Sequence, residues 1–250
     1  MKLIDKVISA TMETLGRIKY SPKSAWIRRY TNLMYYDPKT IVLTASKVKV
    51  LEVGGYKFYA TEALEGLADM SNDPWLQGVR STDIVLDVGA HVGIMCIPLA
   101  KKAAKVYAVE PLYYEELRCN IELNSLTNVV IWNVLLGDYM LMSVRYHERE
   151  NFVRGRTFAN MKQEIGHLDF LKMNCEGGEW LVKPEEYLGI RELRLDYHVG
   201  RVDAKKRIRE ANDLVEFLLR NKYSVNYSYF NLGLHAQHKG FYRISATLEE

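Results

Sequence analysis

Two short segments of this chain combine residue types that could hold a ligand and move a proton. In the first, Asp87, Gly89 and Gly93 interrupt an apolar run, and Glu110 follows the glycines by about 20 residues. Glycine lets the backbone turn tightly and lets a ligand approach without a Cβ in the way. A strand, a glycine turn, a helix and a second strand that ends in an acid form a unit typical of nucleotide-type cofactor sites.

The glycine turn distinguishes between two classes of cofactor. Nicotinamide dinucleotides favour G-x-G-x-x-G, whose middle glycine lets the backbone approach a pyrophosphate, but His91 stands at that position. A carboxylate at Asp87 would repel phosphates and suits a cationic ligand. S-adenosyl-L-methionine fits, because it has no phosphate and carries a sulfonium and an amino group. We predict cofactor contacts from Asp87, Gly89, Ala90, His91 and Gly93; the alternatives are a structural turn and, for His91, a surface position.

Two further acids follow predicted strands on the cofactor side. Glu110 is expected to hold both ribose hydroxyls, because a carboxylate accepts several hydrogen bonds. Asp138 is expected to accept from the adenine amino group. The alternatives are a polar strand end for Glu110 and a turn-forming acid for Asp138, which follows Gly137.

The second segment predicts a substrate-side site. Lys172, Asn174 and Glu176 alternate along one predicted strand, so their side chains leave on the same face. Ligands bind at the carboxyl ends of strands in open α/β sheets, and charged groups in this apolar context are costly unless paired. We expect these residues to carry catalysis; the alternative is a buried Lys172–Glu176 pair that only sets the geometry.

His198 is the candidate base, because imidazole accepts a proton near neutral pH. It ends the next predicted strand, beside Asp196. A satisfied core or loop histidine is the alternative. The spacing of Asn174, Glu176 and Asp196 does not indicate a metal site, and none is predicted.

Four stretches together resemble the FkbM-type family of class I S-adenosylmethionine-dependent methyltransferases. They are DVGAHVG, AVEP, NIELNSLTNV and DFLKMNCEGGEW, and the resemblance covers roughly residues 82–200. It implies a Rossmann-like methyltransferase sheet of seven strands and O-methylation of a small-molecule, sugar or glycolipid acceptor. The family usually has Asp at the position of Asn174, so a role that needs a carboxylate there does not carry over to this chain.

The elements that must position these residues alternate between strand and helix, which predicts an α/β, doubly wound, mostly parallel sheet with helices on both faces. Strands are predicted at Ile84–Val88, Val106–Val109, Val129–Leu135, Met140–His147, Asp169–Cys175 and Glu192–Tyr197, with a terminal pair at Tyr223–Phe230 and Phe241–Leu248. Helices are predicted at Ile94–Lys102, Leu112–Asn124 and Asp203–Lys222, with a short one from Pro184, and Glu148–Asn160 is predicted as a polar loop.

Residues 1–80 are predicted to form an N-terminal extension packed on a methyltransferase domain of residues 81–250. Apolar positions in the first 20 residues repeat at helical spacing, which indicates an amphipathic helix docked on the core rather than on a membrane surface. A hairpin is predicted around Gly54-Gly55, followed by a helix at Glu62–Met70. No apolar run reaches the roughly 20 residues that a membrane span needs.

Composition limits the remaining possibilities. A net charge of +3 does not favour a nucleic-acid partner. The three cysteines form no C-x-x-C pair, which fits a reducing cytoplasm, and glutamine occurs only at positions 77, 163 and 237, which hints at a thermophile. Alternatives are a tRNA methyltransferase, with RNA contacts from the arginine-rich segment 145–156, and a non-catalytic cofactor-fold binding protein. Both a monomer and a homodimer are compatible with the sequence.

Overall fold

The computed structural model describes residues 50–59, 74–138, 141–146, 149–200, 203–231 and 238–249. The predicted first helix and the predicted helix at Glu62–Met70 lie outside these residues. The predicted hairpin is confirmed, with β1 at Val50–Val53 and β2 at Tyr56–Tyr59 joined through Gly54-Gly55. No helix in the described part of the chain is long and apolar enough to cross a membrane.

The remaining elements follow in chain order. They are β3 (Ile84–Val88), α1 (Cys96–Lys102), β4 (Lys105–Val109), α2 (Tyr114–Leu123), β5 (Val129–Trp132), β6 (Leu135–Leu136), β7 (Leu141–Tyr146), β8 (Arg149–Arg156), α3 (Phe158–Ile165), β9 (Phe170–Met173), β10 (Glu192–Gly200), α4 (Ala204–Arg220), β11 (Tyr223–Asn231) and β12 (His238–Leu248). Short 3₁₀ helices lie at Pro74–Leu76, Gly178–Leu181 and Pro184–Tyr187.

The main sheet has seven strands in the order β11-β12-β10-β9-β3-β4-β5. Strands β10, β9, β3, β4 and β5 are parallel, whereas β12 runs antiparallel to both β10 and β11. The chain moves outward from β3 to β5 and then returns to β9 on the other side of β3. The predicted doubly wound sheet with an antiparallel terminal strand is therefore confirmed, and its switch point lies between β3 and β9.

The apolar pattern of β3 explains its central place. Leu86 and Val88 pack into the core beneath α3 and α4, and Val85 packs on the opposite face among residues of α1 and α2. All three side chains are fully buried, as expected for a central parallel strand covered on both faces. The apolar stripe of α4, which consists of Ala211, Leu214, Val215 and Leu218, closes the first face.

The predicted polar loop at Glu148–Asn160 is wrong, because the segment forms β8 and the start of α3. Strand β8 pairs with β7 and β6 in a separate three-stranded sheet, and Thr157 Oγ1 begins α3 by accepting from Asn160 N at 3.3 Å. Because several side chains of β8 are exposed, the segment lacks the apolar pattern that predicts a strand. The third strand also ends at Trp132 rather than Leu135, since Leu135 and Leu136 pair with β8.

The hairpin docks on α2 through two asparagines. Asn120 Oδ1 accepts from Tyr59 N at 2.9 Å, and its Nδ2 donates to Val92 O at 2.9 Å. Asn124 joins Lys57 in the same way but in an exposed setting. The fully buried Asn120 amide therefore links the hairpin, α2 and the glycine turn.

We expect Asn120→Ala to lower the free energy of unfolding by about 1–3 kcal/mol, because it leaves a buried N–H and a buried carbonyl without partners. Chemical denaturation measures this change. Asn124→Ala is the control, since water can replace its exposed contacts with Lys57, and its loss should be smaller. Equal losses for the two variants would contradict anchoring through the buried amide.

Candidate functional site

The glycine turn lies at the switch point and is held by backbone hydrogen bonds. The N–H groups of Gly89 and Ala90 both donate to Val109 O, at 3.0 and 3.1 Å. Gly89 has a φ of +79°, and a Cβ there would lie 1.9 Å from Asn174 O. The position therefore requires glycine both for its backbone conformation and for the close approach of the chain after β9.

Glu110 ties this turn to the end of β4. Its Oε2 accepts from His91 N at 2.7 Å, and its Oε1 accepts from Leu112 N and Tyr113 N at 2.7 and 2.9 Å. A carboxylate offers about four acceptor positions, so one remains. The contact of Glu110 with the ribose hydroxyls stays a prediction, and by this count the present arrangement has room for one such hydrogen bond. Burial raises the pKa of Glu110, and the three N–H donors only partly oppose that effect.

Asp87 and Lys172 form a buried ion pair beneath the turn. Lys172 Nζ lies 2.8 Å from Asp87 Oδ1 and donates to Gly89 O at 2.7 Å. The Asp87 carboxylate is fully buried and, among the described residues, accepts no hydrogen bond of good geometry. The ammonium therefore compensates the charge that was expected to face a cationic cofactor. Lys172 thus pairs with Asp87 rather than with Glu176, and it positions the turn. The contact of Asp87 with the cofactor stays a prediction.

Three further residues were predicted for the cofactor side. Gly93 closes the turn with a φ of 97°, and its N–H donates to Ala90 O at 2.9 Å. His91 has a φ of 53°, and its ring centroid lies 4.1 Å from that of Tyr113, beside Glu110. Asp138 is exposed and follows β6 rather than β5. Its contact with the adenine stays a prediction, because the structure does not place it at the end of a main-sheet strand.

Three of the four residues predicted for the acceptor side, Asn174, Glu176 and His198, lie together with Asp196, whereas Lys172 lies beneath the glycine turn. Asn174 Nδ2 donates to Asp196 Oδ2 at 3.2 Å. His198 Nε2 lies 3.5 Å from Glu176 Oε2. These groups form a polar cluster at the carboxyl ends of β9 and β10, next to the glycine turn.

Glu179 is the residue of this cluster that the sequence prediction missed. Its Oε1 lies 2.6 Å from His198 Nδ1, and its Oε2 accepts from Gly177 N at 2.6 Å. The turn before it is strained, with φ values of 57° at Glu176 and 111° at Gly177. The signal was present, since Glu179 is the last acid of the DFLKMNCEGGEW segment.

The charge around His198 determines how it can act. Burial by itself lowers its pKa, but the hydrogen bond to Glu179 and the charges of Glu179, Glu176 and Asp196 outweigh burial and raise the pKa above the ordinary value. In the neutral ring, Nδ1–H donates to Glu179, which leaves Nε2 as the atom that can accept a proton. The described residues contain no group of three or more His, Cys, Asp or Glu side chains placed to hold a metal ion.

Comparisons with known proteins give weak similarities. No family model matches the chain, so the FkbM-type resemblance stays a prediction. A stretch of 55 residues is 42% identical to an uncharacterized protein of Methanocaldococcus jannaschii, and it spans 21% of this chain and 21% of that protein.

Three solved structures are similar at low identity. They are Trm5b from Pyrococcus abyssi (16% identity, TM-score 0.48, 80% of this chain and 55% of that one), an rRNA methylase from Streptococcus thermophilus (14%, 0.45, 72% and 96%), and M. jannaschii TYW2 in complex with AdoMet (18%, 0.38, 80% and 84%). These values assign no activity to this chain.

We expect Lys172→Met to lower the free energy of unfolding by about 3–5 kcal/mol, because it leaves the Asp87 carboxylate buried without a counter-charge. Urea denaturation of the wild type and of the single variants Lys172→Met and Asp87→Asn measures the change in the free energy of unfolding. The double variant Asp87→Asn with Lys172→Met removes both charges and should recover part of the loss. A double variant as unstable as the sum of its two single variants would contradict the ion pair.

We expect Glu179→Gln to lower the pKa of His198, because it removes the largest source of negative potential at Nδ1. Titration of the His198 ring by NMR measures this, with Glu185→Gln on the exposed surface as the control. A raised folded-state pKa contributes stability that is complete below the unfolded pKa and is lost as pH rises through the folded pKa. The variant should therefore lose this pH-dependent stability, and an unchanged His198 titration would contradict the assignment.

Proposed function

We propose that this chain transfers a methyl group from S-adenosyl-L-methionine to a hydroxyl of a small-molecule, sugar or glycolipid acceptor. The supporting observation is that Glu110 is bound to the glycine turn at the switch point and keeps one acceptor position there. Ligands of open α/β sheets bind in the crevice outside the carboxyl ends of the strands at such a point. The fold, the glycine turn and the Glu110 carboxylate are compatible with this cofactor.

The cofactor side would use the glycine turn, the two rings beside it and Glu110. Gly89 and Ala90 shape the crevice, His91 and Tyr113 supply a ring surface beside it, and Glu110 accepts one ribose hydroxyl. When bound, S-adenosyl-L-methionine supplies a methyl group that is already activated on a sulfonium. The chain then has to bind, orient and deprotonate the acceptor, and positioning accounts for much of the catalysis.

The acceptor side would use His198 as the base. Glu179 fixes the ring through Nδ1, and Nε2 accepts the proton of the acceptor hydroxyl. Asn174 and Asp196 are bonded to each other at the same edge and can orient that hydroxyl. Lys172 acts indirectly, because it contacts Asp87 and the Gly89 carbonyl rather than the polar cluster on the acceptor side.

RNA as the acceptor gains no specific support from the described arginines. In the arginine-rich segment, Arg156 forms an ion pair with Glu164 and lies 4.4 Å from the Trp132 ring centroid, while Arg154 is exposed. Among the arginines of this segment whose side chains the structure describes, the single exposed cation does not form a phosphate track. We therefore treat tRNA binding as one of the outcomes that would contradict a small-molecule acceptor in the test below.

We expect S-adenosylhomocysteine to bind the purified protein and NAD not to bind, as measured by isothermal titration. Glu110→Gln should weaken S-adenosylhomocysteine binding by roughly tenfold or more, because a hydrogen bond to a charged group contributes about 1.5–3 kcal/mol. The Gln side chain keeps the volume of Glu110, and circular dichroism checks that the fold is retained.

Three results would change the proposal. No binding of S-adenosylhomocysteine would make the turn structural and favour a non-catalytic binding protein. Equal affinity for wild type and Glu110→Gln would remove the ribose assignment. Salt-dependent binding of tRNA, with no transfer to any of a panel of small hydroxyl compounds, would favour RNA methylation.

A further inference from the structure

Two cross-strand rows on one face of the sheet extend from the acceptor side toward the sheet edge. One row is aromatic and runs from His198 on β10 through Phe241 on β12 to Phe230 on β11. The neighbouring row is charged and runs from Asp196 to Arg243. Side chains two residues apart on a strand share a face, so both rows lie together beside the candidate base.

The aromatic row is packed into a continuous surface. The rings of Phe230 and Phe241 are stacked, with centroids 5.1 Å apart and an angle of 16° between planes. The Phe241 centroid lies 5.7 Å from that of the His198 ring. Phe230 remains 42% exposed, so part of its ring surface is open to a ligand.

Arg243 supplies charge to the same surface. Its Nε and Nη2 donate to Asp196 at 2.9 and 3.0 Å, and its guanidinium carbon lies 5.2 Å from the Phe230 centroid and 5.0 Å from that of Trp75. No hydrogen bond joins Nη1 to another residue in the described ranges, and the side chain is 32% exposed. The Asp196 contact and the rings hold the guanidinium plane while Nη1 can donate to an anion.

We propose that Phe230, Phe241 and Arg243 form an aromatic shelf that binds a small aromatic acid carrying a ring hydroxyl, and that this is the acceptor class. The inference rests on the proposed function for its catalytic part. A planar ring stacks on the shelf, its carboxylate meets Arg243 Nη1, and its hydroxyl faces His198. A phenolic hydroxyl has a pKa of about 10, far closer to that of imidazole than an aliphatic sugar hydroxyl is, so His198 is better matched to this acceptor.

The test measures the direct binding of 4-hydroxybenzoate to the protein without cofactor. Saturation-transfer NMR and the fluorescence of the buried Trp75, which lies beside Arg243, detect the binding. Methyl 4-hydroxybenzoate lacks the carboxylate, and cyclohexanecarboxylate lacks the aromatic ring. We expect saturable binding of 4-hydroxybenzoate and at least several-fold weaker binding of both analogues. Equal binding of all three compounds, or no saturable binding at millimolar concentration, would overturn the proposal.

Phe230→Ala should weaken 4-hydroxybenzoate binding by roughly two- to twelvefold, the range that an aromatic contact supplies. Tyr229→Ala is a matched control, because Tyr229 is also 42% exposed and lies 5.0 Å from the ring of Tyr242, but on the other face of β11. Equal effects of the two variants would overturn the shelf. A different oligomeric state of Phe230→Ala, together with no binding of 4-hydroxybenzoate to the wild type, would also overturn the proposal. The shelf would then be a contact between copies of this chain.

The two proposals fail separately. Binding of S-adenosylhomocysteine without binding of 4-hydroxybenzoate would leave the methyltransferase proposal in place and remove the aromatic acceptor. Binding of 4-hydroxybenzoate without S-adenosylhomocysteine would support the shelf as a ligand site and remove the proposed reaction.

Discussion

The buried ion pair between Asp87 and Lys172 is the interaction on which the candidate site depends. It joins β3 to β9 across the switch point, with both side chains almost fully removed from water. The same ammonium binds the Gly89 carbonyl. The Asp87 oxygens accept no hydrogen bond of good geometry from the described residues, so Lys172 is what compensates their charge. Because this ammonium belongs to β9 and contacts both Asp87 and the Gly89 carbonyl, it fixes the glycine turn relative to the strand that leads to the acceptor side. The two halves of the site are thereby held in one geometry.

The acceptor side combines two opposing electrostatic requirements. A base must be neutral to accept a proton, yet Glu179, Glu176 and Asp196 all favour the protonated form of His198. As the proposed base, His198 would therefore be stronger than an ordinary imidazole and would be deprotonated only at higher pH. Arg243 sustains the contribution of Asp196, because its ion pair favours the ionised carboxylate and opposes the burial that raises the pKa of that carboxyl. Its removal would therefore alter both the shelf and the field at His198.

The fold was predictable wherever hydrophobic periodicity determines the structure, and the site was predictable only in part. The strands Ile84–Val88 and Glu192–Gly200 are buried along their length, so their apolar residues marked them clearly. Strand β8 was missed because many of its side chains are exposed. The partners of Asp87 and Glu110 were not predicted for another reason: Asp87 pairs with Lys172, which is distant in sequence, and Glu110 accepts from backbone N–H groups, which composition does not reveal.

Asn174 illustrates how such local contacts account for the amide at this position. Its Nδ2 donates to Asp196 Oδ2 at 3.2 Å, and Asp196 also accepts two hydrogen bonds from Arg243. An aspartate at position 174 would place a second carboxylate against the first, and two adjacent carboxylates resist simultaneous ionisation. One of them would then hold a proton beside His198 and compete for the same role. The amide satisfies Asp196 without adding charge, so Asn174 is the residue compatible with a carboxylate at position 196 and with His198 as the base.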